Sequence, residues 1–179
     1  MSKLVILTAS PRPNGNSRTM AAAFAGAARA LGHQVTVFHC AELSVSPCIA
    51  CMCCGGSGAC TFSDDYDAIR AALAEANGIV MATPVYWYTF PAGIKAVMDR
   101  WYHLCMTGES FAGKKVALLG TCEDTELSAF DGVRLSFEKS MEYLQGEIVG
   151  EVLIPGVHSL GDIERTDGIA RAQALAEKF

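Results

Sequence analysis

A chain of 179 residues with a net charge of -5 is long enough to bury one good core, and it carries no Lys/Arg run on which a nucleic-acid backbone would find a footprint. Hydrophobic residues at 51% and charged residues at 18% exclude a disordered chain. The N-terminal apolar run covers only Leu4 to Leu7, too short for a secretory signal or a membrane span. With eight cysteines and no export signal, the expectation is a cytoplasmic protein without a membrane partner, whose clustered thiols serve metal or redox chemistry rather than disulfides.

Taken in order, Lys3–Thr8 is a β-branched and leucine run ended by Ser10-Pro11, and reads as a strand buried on both faces. From Ser17 the period becomes helical, with Met20, Phe24, Ala27, Ala28 and Leu31 on one face and Gly32 as the stop. Gln34–His39 is a second strand. A cysteine-rich loop follows at about residues 47–63, and then Asp64 and Asp65 are N-cap candidates for a helix turning Tyr66, Ile69, Leu73 and Ala76 inward. Gly78–Thr83 is strand three. Pro91 suits the first turn of one helix with the stripe Ile94, Val97, Met98, Trp101 and Leu104. Strand four is Lys115–Gly120. Phe130, Val133, Phe137, Met141 and Leu144 mark a further helix, Glu147–Ile154 is strand five, and Ile169, Ala172, Ala176 and Phe179 mark the last helix.

Five strands alternating with five helices predict an α/β fold: a three-layer α/β/α sandwich around a five-stranded parallel sheet with right-handed crossovers, as one domain over residues 1–179. The flavodoxin-like order 2-1-3-4-5 is the natural one for five strands, and ligands of such sheets sit beyond the carboxyl ends of the strands. After strand one comes "ASPRPNGNSRT" (residues 9–19), running into a helix N-terminus. Ser10, Asn14, Asn16 and Ser17 offer short-range donors, Arg12 a charged fork, and Gly15 a close backbone approach. With neither a dinucleotide fingerprint nor a P-loop lysine, the loop suits a terminal monophosphate without a metal; the plain alternative is an Asn/Gly/Pro turn with a serine cap. After strand three, "TPVYWYTFPAG" (residues 83–93) crowds Tyr86, Trp87, Tyr88 and Phe90 where a solvated turn would be polar. That suits a flat ring bonded along the Val85–Trp87 backbone, or a homodimer contact. Thr121 opens the loop after strand four, on the same rim.

A monophosphate site beside a flat-ring site describes FMN. On "SPRPNGNSRT", "TPVYWYTFPAGIKAVMDRW" and "PCIACMCCGGSGACTFSDDY" the chain resembles, over essentially its whole length, the NAD(P)H-dependent FMN reductases of the flavodoxin-like superfamily. The third segment is similar to the compact cysteine motif of the iron–sulfur flavoproteins in that superfamily. The resemblance implies FMN held at its phosphate by Ser10, Arg12, Asn14, Asn16 and Ser17 and around its ring by Pro84, Val85, Tyr86 and Trp87, with Thr121 nearby. It also implies a homodimer or homotetramer. Ala9-Ser10 departs from the Gly-Ser that the family often carries.

The cysteine spacing is Cys48-x2-Cys51-x2-Cys54-x5-Cys60, with Cys53 inside the run. Two short steps let one turn wrap three thiolates around a [4Fe–4S] cluster, and Gly55, Gly56 and Gly58 free the backbone to return a fourth. Zinc, a Cys48/Cys51 dithiol and a sulfur-rich loop without metal are the alternatives. His33, His39, His103 and His158 form no ligand spacing, Cys105 and Cys122 read as small buried hydrophobes, Cys40 suits either role, and Asp99-Arg100 reads as an intrahelical or interface charge pair. No Ser/His/Asp or Cys/His arrangement is present, so no catalytic side chain is assigned; the cofactor carries the chemistry. The expected function is an FMN-dependent oxidoreductase passing electrons from NAD(P)H, a transient co-substrate, to a quinone, flavin or other small acceptor. The alternatives are an iron–sulfur flavoprotein carrying electrons between protein partners and, more remotely, a zinc-stabilised interaction domain.

Overall fold

The computed structural model describes residues 1–179. Its sheet has the order β2-β1-β3-β4-β5, all pairs parallel, built from β1 (Lys3–Thr8), β2 (Gln34–His39), β3 (Gly78–Pro84), β4 (Lys115–Thr121) and β5 (Glu147–Ile154). The expected strand order and three layers are therefore observed. The two-residue period divides the central strands between two cores. Val5, Leu7, Ile79, Met81, Val116 and Leu118 face α3 (Tyr66–Glu75), α4 (Ala92–Asp99), α5 (Tyr102–Thr107) and α6 (Asp131–Leu144). Leu4, Ile6, Val80, Ala82, Ala117 and Leu119 face α1 (Asn16–Ala30) and α7 (Gly168–Leu175), where Phe24 meets Phe179 edge-on at 5.4 Å. No helix is long and apolar enough to cross a membrane.

Four local expectations are corrected. Leu31 is the C-cap of α1 rather than part of its buried stripe; it is 52% exposed, and Gly32 at φ 88° ends the helix as its type predicts. A short helix, α2 (Cys53–Ser57), lies inside the cysteine loop. The helix expected after Pro91 is two, α4 and α5, broken at Arg100-Trp101. Its stripe is buried as expected, but the Arg100 carbonyl accepts a bond from the Tyr66 hydroxyl at 3.0 Å, and the Arg100 side chain turns to Asp64 at 3.0 Å. Asp99 and Arg100 are thus not a pair, since Asp99 bonds Lys95.

Asp64 does more than cap α3. One carboxylate oxygen accepts the Tyr66 N–H at 3.1 Å; the other accepts the Ser46 N–H and an Arg100 Nη1–H, both at 3.0 Å. Asp65 accepts the Ser44 N–H at 2.7 Å, so both acids lace the chain leaving β2 to the start of α3.

Candidate functional site

The loops after β1, β3 and β4 enclose an open crevice of about 620 Å³, and the loop after β5 completes it. From the first loop come Ser10, Arg12, Gly15, Asn16 and Ser17. Gly15 is the N-cap of α1, with extended φ, ψ of -66° and 150°. A Cβ built there would stand 2.6 Å from Ser10 Oγ and 3.1 Å from the Arg12 carbonyl, so glycine is what lets the turn close. Ser10 Oγ accepts the Arg12 N–H at 3.2 Å, and the Gly15 N–H reaches the Arg12 carbonyl at 3.0 Å. Asn16 commits its whole amide to the framework: Nδ2 donates to the Ser159 carbonyl at 3.0 Å and Oδ1 accepts the Ile163 N–H at 3.2 Å. That side chain bolts the loop after β1 to the loop after β5. Ser17 is 1% exposed, and its hydroxyl has no partner in the protein. It sits in the first turn of a 15-residue helix, where unpaired N–H groups and the positive dipole end already favour an anion. Arg12 is exposed on the rim and joins none of the molecule's ion pairs. Asn14 is exposed and does not line the crevice.

Pro84, Val85 and Tyr86 form the second wall. The Val85 N–H bonds the Thr121 carbonyl at 2.9 Å, carrying the β3–β4 pairing one step beyond the strands. Tyr86 and Thr89 then exchange backbone bonds of 3.0 and 3.1 Å around a two-residue turn with Trp87 and Tyr88 at φ 50° and 61°. Positive φ at both central positions is the geometry usually given to Asn-Gly, so two aromatics there are held under strain. The brace is visible: a Cβ on Gly132 would stand 2.2 Å from the Tyr88 carbonyl. The turn throws Trp87 outward to 94% exposure, away from the crevice, while Phe90 turns inward into the core. The ring-binding expectation therefore separates: Pro84, Val85 and Tyr86 are at the crevice and Trp87 is not.

Thr121 is buried at the crevice edge, followed by Cys122 and Glu123. The fourth wall, Val157, His158 and Leu160, was not anticipated, and His158, set aside in the sequence as a scattered histidine, faces Glu123 across the rim at 3.1 Å. Asp162 holds this loop by accepting the N–H groups of Ser159 and His158 at 2.7 and 3.1 Å, and those bonds keep its carboxyl below the usual range. The available signal was the position after strand five together with Gly156 and Gly161, both at positive φ.

The cysteine loop makes a second, narrow cavity. Cys48, Cys51, Cys54 and Cys60 all line it; Cys53 does not. Ala50, Met52 and Gly58 at φ 54°, 62° and 70° fold the loop back on itself. No three Cys, His, Asp or Glu side chains are close enough to hold a single metal ion, so zinc finds no built centre. A cubane, being wider than an ion, needs its thiolates further apart. The Cys53 N–H and thiol hold the Cys51 thiol below its ordinary range, and the same pairing pushes Cys53 up. Burial lifts Cys40 to about 12 and raises Cys122 as well, so both are inert thiols, as their buried positions imply. Arg100 and His103 complete the cavity wall; His103 Nε2 lies 3.1 Å from the Gly58 carbonyl, which can only accept, so Nδ1 carries the lone pair in the neutral ring.

A family model described as NADPH-dependent FMN reductase matches residues 2–132. An iron-sulfur flavoprotein of Methanocaldococcus jannaschii is 34% identical over 98 residues, 55% of this chain and 51% of that protein. Another, from Archaeoglobus fulgidus, is 26% identical over 180 residues, 99% of this chain and 80% of its own. The match thus spans about half the length of the first of these relatives. Among solved structures, an NAD(P)H:quinone oxidoreductase from Methanothermobacter marburgensis superposes with TM-score 0.77 at 20% identity, over 98% of this chain and 94% of that one. An azoreductase from Bacillus anthracis superposes with TM-score 0.75 at 19% identity, over the whole of both chains. Both share the flavodoxin-like fold.

Proposed function

Since the chain belongs to the NADPH-dependent FMN reductase family, we propose that it is an FMN-dependent oxidoreductase that takes reducing equivalents from NAD(P)H and delivers them to a quinone, flavin or other small acceptor. The observation that carries this reading is the Ser17 hydroxyl, buried without a partner at the start of α1 and bordering a crevice whose one arginine is unpaired. A buried hydroxyl left unbonded is unfavourable by about 1–3 kcal/mol, so the site is built for an acceptor the protein does not supply. The FMN phosphate is such an acceptor, and the residues fit it: Ser10, Ser17 and the first turn of α1 hold it, and Arg12 neutralises it. Pro84, Val85, Tyr86 and Thr121 border the ring, with backbone held rigid by the β3–β4 pairing. Bound FMN supplies two-electron and one-electron transfer, so the chain's task is to orient the flavin and shelter one face from water. The structural neighbours, a quinone oxidoreductase and an azoreductase, support small conjugated acceptors.

Two substitutions test the phosphate site. Ser17→Ala removes an unsatisfied hydroxyl, so the apoprotein is expected to keep its melting temperature while FMN affinity falls. Arg12→Ala is expected to weaken FMN by about 1.5–3 kcal/mol, the range of a charge-assisted bond. Both are read by titration of apoprotein with FMN, and unchanged affinity in both removes the phosphate from this loop. For activity, FMN-loaded protein mixed anaerobically with NADH or NADPH is expected to bleach the flavin band, which a benzoquinone restores; a band that never bleaches contradicts a reductase.

A second reading is favoured by the convergence of Cys48, Cys51, Cys54 and Cys60 on one cavity that excludes Cys53. On it these four thiols hold a [4Fe–4S] cluster, and the protein passes electrons between partners; relatives that bear the name iron-sulfur flavoprotein support this reading. The exposed Trp87 and Tyr88 turn supports self-association as a homodimer or homotetramer. The unbroken sheet and its two cores support one domain over residues 1–179, and the free thiols support a reducing cytoplasm.

A further inference from the structure

Arg100 is the most constrained charge in the molecule. Its side chain is 1% exposed. Only Nη1 is committed, to Asp64 Oδ2 at 3.0 Å and the Ser46 carbonyl at 3.1 Å. Nε and Nη2 are buried with no partner. The Tyr66 ring at 4.6 Å and the Phe62 ring at 5.4 Å hold the guanidinium plane, so it cannot turn those donors to water. It borders the cavity lined by the four thiols, and no other lysine or arginine does.

Three buried N–H bonds without acceptors on one cation are too unfavourable to be a packing accident, and the cavity beside them is lined by groups that become anionic when they bind metal. We propose that Arg100 is a positioning residue for the cluster held by Cys48, Cys51, Cys54 and Cys60: its Nε–H and Nη2–H donate to cluster sulfur and fix the cluster's potential. The inference rests on the iron–sulfur reading. Reduction adds negative charge to the cluster, so a fixed cation and donors in a dry pocket favour the reduced form and raise the potential. The position of this arginine is set from far along the chain. Asp64 fixes Nη1, the Tyr66 hydroxyl fixes the Arg100 carbonyl, and together they break the helix at that residue. The α4–α5 break, which has no glycine or proline to account for it, is where Arg100 joins the wall of the thiol-lined cavity.

The test uses full-length protein reconstituted anaerobically with FMN, iron and sulfide, beside Arg100→Lys, which keeps the charge but lacks the planar fork. Wild type is expected to bind iron. In the variant, the ratio of reduced to oxidised cluster at a fixed potential is expected to fall about tenfold, about 59 mV for one electron. FMN content is expected to stay the same. Wild type grown on 15N-arginine is expected to show a 15N coupling in pulsed magnetic resonance of the reduced cluster; this needs no variant and decides the matter if Arg100→Lys does not fold. Iron in wild type with no 15N coupling, or with an unshifted potential in a folded variant, overturns the role of Arg100 alone. Absence of iron from wild type overturns the cluster reading and this inference with it.

Discussion

Asp64→Ala is expected to destabilise the protein by about 3–5 kcal/mol, measured by urea unfolding at neutral pH, because it strands the buried Arg100 charge. The change also removes the acceptor for the Ser46 and Tyr66 N–H groups, so three bonds fail at once. The effect depends on pH in a definite sense. Burial alone would raise the Asp64 carboxyl, but the Ser46 and Tyr66 N–H groups and the Arg100 guanidinium outweigh it and hold the group below the usual carboxylate range. A depressed folded value means the stabilisation is fully present above the unfolded value, about 3.9, and is lost as pH falls through the folded one. The gap between wild type and Asp64→Ala should therefore be widest at neutral pH and narrow below about pH 4. A loss under about 1 kcal/mol at pH 7 would show that Arg100 finds its compensation elsewhere.

On the iron–sulfur reading, Cys54→Ser is expected to abolish bound iron while leaving FMN bound, since the cavity it lines is separate from the proposed flavin crevice and shares no residue with it. A serine hydroxyl is a hard, weakly acidic group where the cluster needs a soft thiolate, and a four-ligand cluster with all its ligands on one short loop has no spare. Cys53→Ser is the matched control. It makes the same single-atom change, sulfur to oxygen, at the adjacent residue, but Cys53 lies outside the cavity, so iron is expected to remain. Iron by metal analysis and flavin by absorbance read both variants. Iron retained in Cys54→Ser, or lost equally in Cys53→Ser, would reject this ligand set.

The sheet was legible in the chain because five apolar runs alternate with amphipathic stretches; its order is not written in that pattern and is the natural one for five parallel strands, which the structure shows. That the loop after β1 would wall the crevice was legible because short donors before a helix have a local cause. What escaped reading was set by distant partners. The α4–α5 break follows from Tyr66 and Asp64, both more than thirty residues upstream of Arg100. Trp87 was expected at the ring, but a strained turn braced by Gly132, far along the chain, points it outward. Asn16 was expected to meet a ligand, yet its amide is taken by Ser159 and Ile163, more than 140 residues away. Residue type announced these positions as special; only tertiary geometry said to what end.

The most direct measurement is a crystal structure of the protein grown with excess FMN. The expected result is flavin in the crevice with a phosphate oxygen about 3 Å from Ser17 Oγ and the Arg12 guanidinium beside it. Flavin bound with its phosphate elsewhere, or a crevice without flavin while Ser17 keeps its hydroxyl unbonded, would contradict the assignment.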